Sequence, residues 1–324
     1  MERIQQAVIL AAGEGERLRP FTGLKPKVMI AIANKPVLRH VVEALAKNGI
    51  SRVVVVVGYR KEQVLDFLGS GEAYGVEVSN AIQKQQLGTA HALKQAREMV
   101  GDRFLVLSGD NIIGPATLAD FVCASPQALL TVEQENFSKY GAVSVKGDRV
   151  VDIVEKPEAA QTNLVSTGIY ALSREVFPFL EDEVDLPTAL RNMMASGYPV
   201  TAHRTKGTWM DVVYPWDILR LNDAALRGLS ASLAGTTERG VVIKGNVVVG
   251  RGTHILPNTY IQGPAIIGEN CEIGPSACIL PATSLGDYVI VSAFTQVENS
   301  VLGSQVQIGP GAFIKDSVID RGCL

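Results

Sequence analysis

The sequence predicts an α/β domain built on a mainly parallel sheet, followed by a solenoid of triangular coils. Three observations carry this. Short apolar runs alternate with amphipathic helical segments through the first 228 residues. From Ile243 to Val297 every sixth residue is Ile, Leu or Val. Between the two regimes lies Ser230–Gly240, a stretch rich in Ser, Thr, Ala and Gly that reads as a linker. The expected organisation is therefore a domain over 1–228, a linker over 229–240 and a solenoid over 241–324, with the boundary near residue 235.

Each element of the first domain has its own signal. Ala7–Ala12 is an apolar run ending in glycine, the pattern of a buried strand. Pro36 opens a helix whose apolar positions are Val37, Leu38, Val41, Val42 and Leu45, and Gly49 closes it. Arg52–Val57 reads as a strand, Lys61–Leu68 as a helix and Val76–Ile82 as a strand. Thr89–Val100 reads as a helix, Phe104–Leu107 as a buried strand ending in Ser-Gly-Asp, and Trp216–Leu229 as a last amphipathic helix. Strands separated by helices imply a parallel sheet covered on both faces. From Leu129 to Leu172 strand signals come without long helices, so extra strands should extend or flank that sheet.

The tail follows a different rule. The series Ile243, Val249, Ile255, Ile261, Ile267, Ile273, Ile279, Leu285, Val291, Val297 has a six-residue period that neither a helix nor an ordinary strand possesses. It slips by one at Leu302 and resumes at Ile308 and Ile314. One hexad is one side of a coil, its aliphatic residue pointing inward. Burying that residue gains about 1.5–3 kcal/mol, whereas ordering six backbone residues costs roughly 6–12 kcal/mol. Stacking, backbone ladders and association must supply the difference. The repeat is still running at Leu324, which leads us to expect either a shortened chain or an end covered by another subunit.

Composition narrows the function classes. At 324 residues, 47% hydrophobic and 19% charged, the chain has the make-up of a globular protein of two domains. A net charge of −3 argues against a nucleic-acid partner. The run Val53–Val57 is far too short to span a bilayer, and the first residues carry no cleavage signal, so we expect no membrane association and a cytoplasmic location. Cys123, Cys271, Cys278 and Cys323 show no metal-binding spacing and read as reduced thiols.

The first strand runs into Gly13-Glu-Gly15-Glu-Arg17-Leu-Arg19-Pro20, with Lys25 and Lys27 following. A dinucleotide fingerprint would need a third glycine where Leu18 stands. A glycine-rich loop at the carboxyl edge of a parallel sheet, with basic residues behind it, suits phosphate oxygens. By itself this pattern is equally a surface turn with solvated charges.

The whole run LAAGEGERLRPFTGLKPKVMI, from Leu10 to Ile30, resembles the signature of the sugar-1-phosphate nucleotidylyltransferases: LAAG, then GxGxRLxPxT, then KPK. The resemblance extends over roughly residues 4–228, and the hexads resemble the left-handed β-helix that many members carry. It implies a Rossmann-like nucleotidyltransferase domain. It also implies a reaction in which a sugar 1-phosphate attacks the α-phosphate of a nucleoside triphosphate and releases pyrophosphate. By this match Leu10, Ala12, Gly13 and Gly15 bind the nucleotide, while Arg17 and Lys27 neutralise phosphates. Gln83-Lys-Gln-Gln-Leu-Gly88-Thr89 is similar to the family's base-reading segment, in its uridylyltransferase form. A glutamine amide offers the donor and acceptor that a pyrimidine imide needs, Gly88 would let the chain pass close to the base, and Thr89 sits where a helix cap would.

The same resemblance assigns magnesium (Mg2+) to Asp110, after Ser108-Gly109, and to Asp211 in Trp209-Met-Asp211. Magnesium is commonly held by one or two carboxylates and the phosphates themselves. Lys139-Tyr-Gly141, Glu155-Lys156-Pro157 and Ser166-Thr-Gly168-Ile-Tyr170 are similar to the sugar-binding segments. They imply Glu155 on sugar hydroxyls, Lys156 on the sugar phosphate, and Gly141 and Ser166 at the ring. Members that use N-acetylglucosamine often have asparagine where Ser166 stands, so glucose and N-acetylglucosamine both remain open, as do UTP and dTTP. The resemblance further implies a homo-oligomer: a trimer or dimer of trimers through the β-helix, or a dimer or tetramer. After His203 the only histidine is His254, inside an uninterrupted hexad, so no acyl transfer is expected from this chain. The rival reading is a non-catalytic regulatory or assembly subunit, but such relatives tend to lose Arg17, Lys27, Asp110 and Asp211, all present here.

Overall fold

The computed structural model describes residues 3–134, 140–155 and 162–324. They form two compact units, one of Met1–Glu14, Lys25–Met29 and Leu38–Met210, the other of Gly15–Leu24, Ile30–Val37 and Asp211–Leu324.

The first unit is built on β1 (Gln6–Ala11), β2 (Arg52–Val57), β3 (Glu77–Ile82), β4 (Arg103–Ser108), β5 (Ala128–Glu133), β6 (Gly141–Lys146), β7 (Arg149–Glu155), β8 (Leu164–Ser173) and β9 (Thr201–Arg204). They make one sheet in the order β3-β2-β1-β4-β8-β5-β9-β7-β6. The half β3-β2-β1-β4 is wholly parallel. From β8 onward the pairing is mixed, with only β9 and β5 parallel. The extra strands expected between Leu129 and Leu172 are these additions to the sheet.

Alternation fixes which face each residue buries. In β4, Leu105 and Leu107 join one core while Phe104 and Val106 join the other, and in β2 Val53, Val55 and Val57 part from Val54 and Val56 in the same way. A run apolar on both faces is what a covered parallel strand requires. Helix α1 (Val37–Lys47) packs Leu38, Val41, Val42 and Leu45 into the first core. It ends in a Schellman turn in which Ile50 N donates to Leu45 O across Gly49 at φ 77°. Helix α2 is Lys61–Leu68, as the sequence implies. The expected helix Thr89–Val100 is shorter: α3 covers Thr89–Lys94, and a separate 3-10 turn follows at Arg97–Met99. No Gly or Pro marks that break. Helix α4 (Leu186–Ala195) is capped by Asp185, whose side chain accepts from Thr188 N at 2.8 Å.

In the second unit the tail is a three-sided β-helix whose short parallel strands stack into three sheets. Val242, Tyr260, Cys278 and Gln296 pair in sequence, so each coil takes 18 residues, three hexads. The inward residues from Val249 to Val297 are essentially inaccessible to solvent. Leu285 pairs with Leu302 and Leu302 with Ile319, so the slip read at Leu302 recurs one coil later and the coils there take 17 residues. The stretch read as a linker already carries ladder strands: Ser232–Leu233 pairs with Val248–Val249, and Thr236–Thr237 with His254–Ile255. Its small polar residues are those of a first coil side, which has no core of its own to advertise.

Helix α5 (Asp217–Arg227) and the hairpin Ala31–Ile32/Lys35–Pro36 belong to the same unit. The hairpin turns through Ala33 and Asn34, both left-handed, as a two-residue type I′ turn demands. Asn222 of α5 is wholly buried. Its Oδ1 accepts from Ala33 N (3.0 Å) and Ser284 Oγ (2.7 Å), while Nδ2 donates to Ala282 O (3.0 Å). Asn34 Nδ2 donates to Leu285 O at 2.5 Å. One amide thus ties hairpin, helix and coil. Cys271 is buried with its thiol on Gly286 O, and no helix among the described residues is long and apolar enough to cross a membrane.

Candidate active site

The order 3-2-1-4 sets the carboxyl ends of β1 and β4 side by side at the switch point of the sheet, the position where ligands of such sheets bind. Leu10 pairs with Ser108, and Gly109 N donates to Leu10 O at 2.9 Å, so Ala12 and Gly13 leave the sheet beside Asp110. Gly109 allows a close approach there: a Cβ would stand 3.0 Å from Val28 Cγ1 and 3.1 Å from Ile9 Cγ2. Because Val28 packs so closely, its neighbour Lys27 reaches Asp110, and the two form an ion pair. Burial by itself would raise the Asp110 pKa, but the Lys27 charge and hydrogen bonds from Lys27 and Ser108 outweigh it and hold the carboxyl below its ordinary value. Asp110 is therefore ionised at neutral pH.

Three predicted nucleotide residues meet on another part of this unit. Gln83 is buried, with Nε2 donating to Gly88 O (3.1 Å) and lying 2.9 Å from His91 Nδ1. Gly88 has φ 143°, and a Cβ there would fall 2.2 Å from Val184 O. Its first structural duty is this close passage past Val184, whose carbonyl accepts from Ala90 N. Thr89 is not the cap it was expected to be. Gly88 holds that position without a side chain, and Thr89 Oγ1 instead accepts from Leu186 N at 2.9 Å.

Among the residues that the resemblance assigns to the sugar, Glu155 pairs directly with Gly141, and a Cβ on Gly141 would sit 3.1 Å from Glu155 Oε2 and 3.7 Å from Ser166 Cβ. Gly141, Glu155 and Ser166 therefore converge. Lys156 lies outside the described residues, as does Lys139. Beneath them is a residue the sequence did not single out for chemistry. Tyr170 is buried, and its hydroxyl lies under the influence of Ser166 and Glu155. Burial pushes that hydroxyl up to about 12, Ser166 pulls the other way, and the Glu155 charge raises it further. A polar group on a strand face that alternation assigns to the core was the available signal.

The remaining predicted residues belong to the second unit. Gly15, at φ 74°, starts the 3-10 turn Glu16–Leu18. Leu18 is buried and Arg17 is exposed, and Thr22 Oγ1 closes the loop on Gly15 O at 2.9 Å. Asp211 ends the strand Trp209–Asp211 and is partly exposed.

The donor set suits a hard cation. Asp110 is held ionised, and the adjacent Asn111 has a buried Oδ1 with no hydrogen-bond partner. Among the described residues no three or more His, Cys, Asp or Glu gather in one place. An ion held mainly by one or two carboxylates and its own substrate phosphates is the arrangement magnesium favours.

Residues 6–227 match the family described as Nucleotidyl transferase, and residues 246–281 match the Bacterial transferase hexapeptide (six repeats). A bifunctional protein GlmU of Methanococcus maripaludis is 32% identical over 98% of this chain and 78% of its own length. A glucose-1-phosphate thymidylyltransferase of Streptomyces antibioticus is 33% identical over 98% of this chain and 92% of its own. The solved structure of a UDP-glucose pyrophosphorylase complexed with UDP-glucose superposes with a TM-score of 0.62 at 25% identity, covering 70% of this chain and all of that one. With the paired β1 and β4 ends, the Lys27–Asp110 ion pair and the hexad tail, these likenesses place the chain: it belongs to the nucleotidyl transferase family, among the sugar-1-phosphate nucleotidylyltransferases that carry a C-terminal left-handed β-helix.

Proposed function

We propose that the chain joins glucose 1-phosphate or N-acetylglucosamine 1-phosphate to UTP or dTTP, giving a nucleotide sugar and pyrophosphate. The observation that carries this reading is the Lys27–Asp110 ion pair at the switch point of the sheet. Both reactants are anions, and a phosphate oxygen needs no general base, so positioning and charge neutralisation are what the protein must provide. Asp110 and Asp211 would hold Mg2+, which when bound supplies charge neutralisation at the triphosphate. Lys27, kept on Asp110 until an anion arrives, exchanges that carboxylate for phosphate oxygens, and Arg17 adds a second cation. Lys156 fits the sugar phosphate, and Glu155, Gly141 and Ser166 fit the sugar ring.

Base choice follows from the Gln83 amide. Its nitrogen is engaged with Gly88 O and His91, so the reading face is the carbonyl, which accepts from an imide N–H. Uracil and thymine offer that donor at N3; cytosine does not. The form QxxQLGT inclines the choice towards UTP. A homo-oligomer joined through the β-helix belongs to the same reading, supported by the exposed Val242, Phe294 and Phe313 on the coils, and so does a cytoplasmic location. Domains over 1–228 and 241–324 remain our division of labour between chemistry and assembly.

The test is pyrophosphate release with Mg2+ across a panel of nucleoside triphosphates and sugar 1-phosphates. We expect turnover with UTP or dTTP and none with CTP. Absence of turnover with every pair would overturn the proposal in favour of a regulatory subunit.

A further inference from the structure

At the opposite, amino edge of the sheet the first unit holds a second polar depression. It is lined by Arg3, Gln6, Arg52, Asp102 and Arg103, among others, and has a volume of about 170 Å³. One water needs only about 10–15 Å³ on this measure, so a tetrahedral oxyanion fits together with hydrating waters. Its geometry follows from the strand order. Arg52 and Arg103 are the first residues of β2 and β4, the neighbours of β1, and Arg3 precedes β1 itself. Parallel strands side by side bring these three starts to one place.

Three arginines and one aspartate among the lining residues run against the overall charge of −3. Two of them are oriented by backbone oxygens. Arg3 donates through Nε (3.1 Å) and Nη2 (2.8 Å) to Asn48 O at the end of α1, and Arg103 Nη2 donates to Ala124 O at 2.5 Å. Arg52 is exposed at the rim. A guanidinium fork already held in place loses little freedom on binding and matches phosphate oxygens in pairs. None of these residues belongs to the carboxyl-edge chemistry described above.

We propose that this amino-edge depression is a binding site for a phosphate-type oxyanion, either inorganic phosphate or the phosphate of a small phosphorylated molecule. Arg3 and Arg52 are its principal contacts and Asp102 its selectivity brake.

Equilibrium dialysis of the full chain with labelled inorganic phosphate tests this, with a sugar 6-phosphate as competitor to separate the two sources. We expect one bound phosphate per chain that persists in Lys27→Ala, where the carboxyl edge has lost a cation. Binding should weaken at least tenfold in Arg52→Gln and Arg3→Gln. In Asp102→Asn it should tighten severalfold, a gain that misfolding cannot produce. Displacement by the sugar phosphate at lower concentration than unlabelled phosphate identifies the organic ligand; the reverse identifies the inorganic one. No bound phosphate, loss in Lys27→Ala with retention in Arg52→Gln, or an unchanged Asp102→Asn each overturns the proposal.

Discussion

Replacing Asn222 by leucine keeps the number and branching of side-chain heavy atoms and removes the hydrogen bonds by which this one amide joins hairpin, helix and coil. The wild-type amide satisfies Ala33 N–H, Ala282 C=O and the Ser284 hydroxyl, and Asn222 and Ser284 are both fully buried. The hydroxyl can rotate towards another acceptor, so it counts least. The two backbone groups cannot move and would be left buried, at about 1–3 kcal/mol each. The expected loss is therefore roughly 2–6 kcal/mol, a large share of the 5–15 kcal/mol that typically separates native from unfolded. Native-state hydrogen exchange reads it directly. The Ala33 amide, bonded only to that side chain in the hairpin, should lose at least about thirtyfold of its protection at 1.4 kcal/mol per tenfold. Adding Ser284→Ala should change little more, because the partners of one amide do not act independently. An Ala33 amide as protected in Asn222→Leu as in the wild type would refute the reasoning.

Arg17→Ala and Asp110→Asn should each lower pyrophosphate release at least a hundredfold with circular dichroism unchanged, since a charge pair at ~4 Å is worth roughly 4 kcal/mol before desolvation. Gly88→Ala and Gly13→Ala should differ in kind. The first drives a methyl to 2.2 Å from Val184 O and should cost about 3 kcal/mol or more in urea denaturation. The second meets no atom within 4 Å and should leave stability within about 0.5 kcal/mol while raising KM for the nucleotide. Tyr170 sets an alkaline limit. With its hydroxyl raised to about 12, the unfolded chain releases the proton first, so above about pH 10 stability should fall by up to about 1.4 kcal/mol per pH unit. Urea midpoints at pH 9 and 11 for wild type and Tyr170→Phe check this, the mutant losing less.

Much of the fold is legible because burial leaves a periodic trace. The valines of β2 and the hexads of the tail report their faces without reference to anything distant, and Arg52–Val57 and Lys61–Leu68 appear within the bounds their patterns imply. What stays hidden depends on partners far along the chain. Nothing local tells that Asn222 meets Ala33 and Ser284, or that Val28 against Gly109 steers Lys27 onto Asp110. The end of α3 at Lys94 leaves no Gly or Pro to read, and Ser232–Thr237 joins a ladder without an inward aliphatic hexad of its own. The motifs name candidate residues for the site; the Lys27–Asp110 ion pair and the burial of Tyr170 arise from packing between distant strands.

The repeated five-residue step at Leu302 and Ile319 has a mechanical meaning. Corners absorb a missing residue, provided the next layer omits it too, so the aliphatic column stays vertical. The tail is thus graduated like a ruler, with one mark of about 4.8 Å for each 17 or 18 residues. Excising one whole turn should shorten the ruler and keep every column in phase. Excising a single hexad would rotate all later faces by a third of a turn and hand the next layer's neighbours to the wrong side.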